Sequence, residues 1–236
     1  MLLAFCRRLF VVLVAWPLTF FWLGFALRHK ERLPKKGPAI IIANHNSHLD
    51  TFMLLTFFPL ARIPDIRIAA AEDYFFASRR GRFLAKWFFG LVPVHRGGSL
   101  KSDSLKSMAE VLARGQILIL YPEGTRGEPD VMSDIKPGLW HLARRFPGVP
   151  ICPVYMHGLA RSLPKGSRVP VPLFADVFVG EPLGFLPLKK DFAASVAACF
   201  ARLREQTLAA LAPLDEDCEY EDARPAHQHA QGADQS

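Results

Sequence analysis

The sequence predicts an α/β fold: a mainly parallel sheet flanked by helices, with an N-terminal membrane-anchoring helix. Two observations carry the prediction. Short, β-branched apolar runs alternate along the chain with longer segments of helical apolar spacing, the pattern of strands joined by helical crossovers. Ahead of that alternation, Leu9 to Leu27 form nineteen consecutive residues without a charge, in a chain of 236 residues of which 50% are hydrophobic.

The elements follow in order. Leu9 to Leu27 is long enough to span a hydrocarbon core. Pro17 and the aromatic cluster Trp16, Phe20, Phe21 and Trp22 equally suit a helix lying in the interface, so spanning and monotopic insertion both stay open. Phe25 to Lys30 offers no small-residue cleavage site, which argues against a signal peptide. Arg28, Lys30, Arg32, Lys35 and Lys36 come next, and by the positive-inside rule they place the following domain on the cytoplasmic side of the inner (cytoplasmic) membrane.

Strands are expected at Ala39 to Asn44, Ile66 to Ala71, Leu91 to Val94, Gln116 to Tyr121 and Ile151 to Met156, with a further one at Val177 to Gly180. Helices are expected from Ser47 to Phe58, Arg79 to Phe89, Ser102 to Arg114 and Gly138 to Phe146, and a closing helix from Leu188 to Leu211. This divides the chain into an anchor (1–30), a folded domain (31–212) and an acidic tail (213–236) whose composition reads as disordered.

Charge is segregated between these parts. The tail holds seven acidic residues and one Arg, a net of −6, so the rest of the chain carries +13. A domain this basic beside a bilayer is drawn to anionic headgroups. Nucleic acid, the other common partner of a chain with pI near 9.4, is not expected, because no helix-turn-helix, zinc-finger or aromatic RNA-binding pattern is present. The four cysteines are scattered without a Cys-x-x-Cys pair and suggest neither a disulfide framework nor zinc.

Proton chemistry is suggested where the first strand ends. In Asn44-His45-Asn46-Ser47-His48-Leu49-Asp50, one helical turn brings the Asp50 carboxylate back to the His45 imidazole, fixing its tautomer and supporting the charge it gains on taking a proton. This is the base half of a triad without its own nucleophile, so the activated hydroxyl would belong to a substrate. A second strand runs into Pro122-Glu123-Gly124-Thr125-Arg126, where Gly permits close backbone approach and the Arg fork suits phosphate oxygens. His45, His48 and Asp50 are also three metal-ligand types in a short span, but His95, His141 and His157 supply no recognised completing spacing. Neither metal nor other cofactor is expected.

The His45-x4-Asp50 turn and the Glu123-Gly124-Thr125-Arg126 loop, with Gly90-Leu91-Val92-Pro93-Val94-His95-Arg96 between them and the Pro-bearing strand Val149 to Val154 after them, resemble in order and spacing the four blocks of the glycerolipid acyltransferase family, 1-acyl-sn-glycerol-3-phosphate acyltransferase-like and PlsC-type. The resemblance implies transfer of a fatty acyl group from acyl-CoA or acyl-acyl carrier protein to the hydroxyl of a lysoglycerolipid, with 1-acyl-sn-glycerol-3-phosphate foremost, in phospholipid biosynthesis. It implies His45 as general base, Asp50 orienting it, Arg96 and Arg126 on the acceptor phosphate, Gly124 and Thr125 shaping the loop, and Glu123 holding an Arg or a substrate hydroxyl.

One departure stands out: where family members that handle a phosphate monoester commonly carry a Lys, this chain has Ala71. That opens the alternative of another lysophospholipid or lipid alcohol as acceptor. A non-catalytic lipid-binding membrane protein is the competing class, and a poised His–Asp pair argues against it. The cluster Arg79, Arg80, Arg82 and Lys86, interleaved with Phe83, Trp87 and Phe88, is read three ways: a face on the bilayer, a site for coenzyme A phosphates, or a solvated helix with a buried apolar side.

Overall fold

The structure, a computed structural model, describes residues 1–45, 47, 49–72, 78–94, 102–124, 133–159, 171 and 174–211, with Lys86 and residues 102–104 described in their backbone alone. Arg96, Thr125, Arg126, His48 and the acidic tail therefore lie outside the described residues.

Among the described residues, seven strands form one sheet: β1 (Phe25–Arg28), β2 (Ala39–Ala43), β3 (Ile66–Ala71), β4 (Leu91–Val94), β5 (Ile117–Leu120), β6 (Ile151–His157) and β7 (Ala175–Val179). Their order across the sheet is β1-β7-β6-β2-β5-β3-β4. β2 to β6 all run parallel, as the alternation predicts, and β7 reverses against β6 with β1 parallel to it at the edge. β2 lies at the centre because all five of its residues are apolar and none has exposed surface, so it must be covered on both faces.

The pleat sorts those residues between two cores. Ile41 and Ala43 face one layer, with α1 (Leu2–Phe10) and its continuation together with α2 (Leu49–Thr56). Ile40 and Ile42 face the other, with α4 (Ser102–Ala113), α5 (Gly138–Arg145) and α6 (Lys189–Leu211). α6 buries Phe192, Val196, Phe200, Leu203 and Thr207, the one-sided stripe of an amphipathic helix. Another helix, α3 (Arg79–Leu84), precedes β4 and is capped by Ser78, whose Oγ accepts the Gly81 N–H at 2.9 Å.

The N-terminal helix departs most from expectation. It runs as one helix from Leu2 to Trp22, the sole helix among the described residues long and apolar enough to cross a membrane. Beyond Phe10 it continues through π-helical turns at Val11–Ala15 and Leu18–Trp22. Its buried residues explain the widening. Arg7, Val11, Ala15, Thr19 and then Leu23 are all buried at intervals of four. In an α-helix each step of four overshoots a turn by about 40°, whereas the wider π turn undershoots it, so alternating the two keeps the stripe on the domain.

Pro17 removes one N–H from this helix. At a different place in the helix, the buried Thr19 hydroxyl is satisfied by donating to the Ala15 carbonyl at 2.7 Å, with that of Trp16 at 3.3 Å. Arg7, 2% exposed, donates to the carbonyls of Pro64 (3.0 Å), Ile66 (2.6 Å) and Phe89 (3.4 Å) and so ties the helix to the entry of β3 and the exit of the turn after α3. Phe25–Arg28, which the sequence reading assigns to the anchor, is strand β1 of the sheet, paired with β7 from Phe25↔Ala175 to Arg28↔Phe178.

Candidate active site

The carboxyl ends of β2, β5 and β6 meet where the chain order reverses. β3 and β4 add on one side of β2 beyond β5, and β6 and β7 add on the other. Open α/β sheets leave a crevice at such a point. β2 delivers Asn44 and His45 there, and β5 delivers Tyr121, Pro122 and Glu123.

Asn44 locks the strand end. Its side-chain amide donates to the Met156 carbonyl and its Oδ1 accepts the Met156 N–H, both at 2.8 Å, extending the β2–β6 pairing by one side-chain rung. The chain then turns into α2, and Ser47 Oγ accepts the Leu49 N–H at 3.3 Å. Asp50 stands in the first turn of α2, where unsatisfied N–H groups favour a negative charge. Its Oδ2 lies 3.0 Å from His45 Nδ1 and accepts the Ser47 N–H at 2.9 Å, and the residue is 1% exposed.

A carboxylate has only acceptors to offer, so it selects the imidazole tautomer with the proton on Nδ1. The lone pair of His45 is then on Nε2. The His45 side chain is 17% exposed.

Sequence reasoning missed one of the two groups that hold His45, the one against its ring. Tyr121 stacks on it, with ring centroids 4.1 Å apart and planes 24° from parallel. Its hydroxyl shares a 2.8 Å hydrogen bond with Thr51 Oγ1 on α2. Burial, and then the nearby Asp50 charge, push the Tyr121 phenol far above its ordinary range, so it stays neutral beside the imidazole. The second group is Glu123, which has no exposed surface. Its Oε1 accepts the His45 backbone N–H at 3.0 Å and its Oε2 the Ser133 N–H at 2.9 Å. Among the described residues, then, Glu123 clamps backbone, whereas sequence analysis expects it on an Arg or a substrate hydroxyl. The contact to His45 leaves no local mark in the sequence, since Glu123 lies 78 residues away.

Gly124 follows at φ +73°, the left-handed region that favours glycine. The stem of Lys136 passes over it, with Cγ 3.4 Å from where a Cβ would stand, while the Lys136 N–H donates to the Pro122 carbonyl at 2.8 Å. An exposed cationic side chain thus passes over Gly124. Its signal in the sequence is only its place in Ile135-Lys136-Pro137-Gly138, just before α5. Ala71 ends β3 opposite Val94 and is 8% exposed. No cluster of His, Cys, Asp or Glu suited to a metal ion occurs among the described residues.

Residues 24–157 match the family model described as Acyltransferase. A chloroplastic 1-acyl-sn-glycerol-3-phosphate acyltransferase of Brassica napus is 29% identical over 146 residues, which is 58% of this chain and 38% of that protein. An N-acylphosphatidylethanolamine synthase of Arabidopsis thaliana is 30% identical over 165 residues, 64% of this chain and 58% of that protein. The chain therefore spans less than two thirds of the length of these relatives. The crystal structure of the 1-acyl-sn-glycerophosphate acyltransferase PlsC from Thermotoga maritima superposes with a TM-score of 0.69 at 22% identity, covering 87% of this chain and 80% of that one, and so shares the fold.

Proposed function

Because the chain belongs to the acyltransferase family, we propose that it moves a fatty acyl group from acyl-CoA or acyl-acyl carrier protein to the free hydroxyl of a lysoglycerolipid, with 1-acyl-sn-glycerol-3-phosphate the foremost acceptor. The observation that carries this reading is the His45 Nδ1 to Asp50 Oδ2 contact of 3.0 Å, made by a carboxylate 1% exposed. His45 Nε2 takes the acceptor's hydroxyl proton as that oxygen attacks the thioester carbonyl. Collapse of the tetrahedral intermediate breaks the carbon–sulfur bond, and the imidazolium returns its proton to the departing thiolate. No acyl-enzyme and no cofactor is required. General base catalysis supplies about 10²- to 10⁴-fold, and holding two substrates together supplies much of the rest.

Arg96 and Arg126 take the acceptor phosphate in this reading, with Gly124 and Thr125 shaping the loop and Lys136, whose stem passes over Gly124, adding a cation. A second acceptor class is favoured by one observation: Ala71, at the end of β3, leaves the position where a Lys is expected without charge. A lysophospholipid with a phosphodiester headgroup needs fewer cations than a phosphate monoester.

The N-terminal helix lies in the membrane interface on this account. It is about 31 Å long, and its buried stripe from Arg7 to Thr19 is docked on the domain. To cross the bilayer with those contacts intact it would carry polar domain surface into hydrocarbon, where unsatisfied groups are costly. Its opposite face exposes Leu2, Phe5, Leu9 and Leu13. The basic run from Arg28 to Lys36 then favours the anionic cytoplasmic leaflet of the inner membrane.

The test is lipid mass spectrometry on the full chain in nonionic micelles, given a panel of lysolipids with acyl-CoA or acyl-acyl carrier protein. Phosphatidic acid from lysophosphatidic acid, or the diacyl product of another lysophospholipid, is expected. Absence of product from every lysolipid contradicts the reading.

A further inference from the structure

We propose that α3 and the turn after it are a second membrane-binding element, an aromatic and cationic wedge that seats on an anionic bilayer beside the N-terminal helix. This rests on the interfacial placement of that helix and extends it to a part of the fold remote in sequence. The turn after α3 is what fixes this segment to the domain, through the fully buried Ala85 and through Phe89 against Phe10 and Phe52, whereas α3 itself has no buried residue. Phe83 and Leu84 are 53% and 47% exposed, although burying such side chains is what normally holds a helix to its domain.

Rings connect this surface to the N-terminal helix. Phe83 stacks on Trp87 at 5.6 Å and meets Phe88 edge-on at 6.2 Å, and Phe88 lies 5.7 Å from Phe10. Phe10 follows the exposed Leu9 and precedes Leu13, so the two apolar faces are continuous. The occupant is read from the charge. From Ser78 to Phe89 the chain carries Arg79, Arg80, Arg82 and Lys86 and no acid, and Arg79 and Arg80 are exposed at the head of the helix. Aromatic and aliphatic side chains flanked by Arg fit a headgroup region with acyl carbons beneath it.

The experiment measures partition of the full chain onto vesicles of phosphatidylcholine alone and of phosphatidylcholine mixed with phosphatidylglycerol. Each exposed Arg at an anionic surface changes partition roughly fivefold. The double variant Arg79→Gln/Arg80→Gln is therefore expected to bind phosphatidylglycerol vesicles on the order of 20-fold less well, with no change on phosphatidylcholine. Phe83→Ser/Leu84→Ser is expected to weaken both by about tenfold. A readout independent of the N-terminal helix is Phe83→Trp, whose added emission should be quenched by lipids brominated in the upper acyl chain. Activity in nonionic micelles should stay at the wild-type value in all three variants.

Unchanged partition and an unquenched emission would overturn the proposal. So would a raised KM for acyl-CoA in the Arg variant with partition intact, which would assign the cations to the donor's phosphates. Should wild type acylate no lysolipid while the partition results hold, the proposed function falls and this surface stands.

Discussion

Glu123→Gln separates a carboxylate that positions the base from one that binds substrate. The two Glu123 oxygens accept the N–H of His45 and the N–H of Ser133, at 3.0 and 2.9 Å, in a side chain with no exposed surface. An amide has one oxygen, so whichever way the substituted side chain turns, one backbone N–H faces an NH₂ donor. An unsatisfied buried donor costs about 1–3 kcal/mol, and the surviving bond loses its charge assistance. For a domain of this size that lowers the thermal midpoint by roughly 3–10 °C. Displacing the His45 backbone moves the ring that must meet the substrate hydroxyl, so kcat should fall about 10- to 100-fold with acceptor KM nearly unchanged. The assay is steady-state transfer in nonionic micelles with acceptor and donor varied in turn, beside calorimetry. A variant with wild-type midpoint and kcat but raised acceptor KM would refute this reasoning and restore Glu123 to the substrate.

Three further outcomes follow from named contacts. Arg7→Met keeps most of the side-chain volume but leaves the carbonyls of Pro64, Ile66 and Phe89 without that donor; it should destabilise by roughly 2–4 kcal/mol in chemical denaturation and expose the N-terminal helix to limited proteolysis. Tyr121→Leu removes the stack on His45 and should lower kcat about tenfold, whereas Tyr121→Phe loses only the bond to Thr51 and should stay within about threefold of wild type by the same kinetics. Ala71→Lys should raise the ratio of kcat/KM for lysophosphatidic acid over a phosphodiester lysophospholipid; a wild type that already prefers lysophosphatidic acid strongly, and a variant that changes nothing, would remove the significance of Ala71.

What could be read from sequence follows the range of each interaction. The central strands were legible because a strand covered on both faces must be continuously apolar, as Ala39–Ala43 is. The His45–Asp50 pair was legible because it closes within one turn, five residues apart. β1 was hidden: all of it but Arg28 belongs to the uncharged run, and only its pairing with Ala175–Phe178 makes it a strand. Arg7 was hidden for a related reason, since a charged residue beside an apolar run reads as its boundary, not as part of a buried stripe. Tyr121 and Lys136 reach the site by the meeting of strand ends and loops distant in the chain, which local periodicity does not encode; Glu123 was legible as a site residue, but its hold on the His45 backbone was not.

The central claim is that His45 Nε2, set by Asp50, takes the acceptor's proton. Its most direct test is single-turnover acyl transfer by His45→Ala, with the thermal midpoint measured on the same preparation. The account predicts a rate about 10²- to 10⁴-fold below wild type in a protein that remains folded. A folded variant retaining more than roughly a few per cent of the wild-type rate would contradict it, because loss of a general base removes at least about a hundredfold.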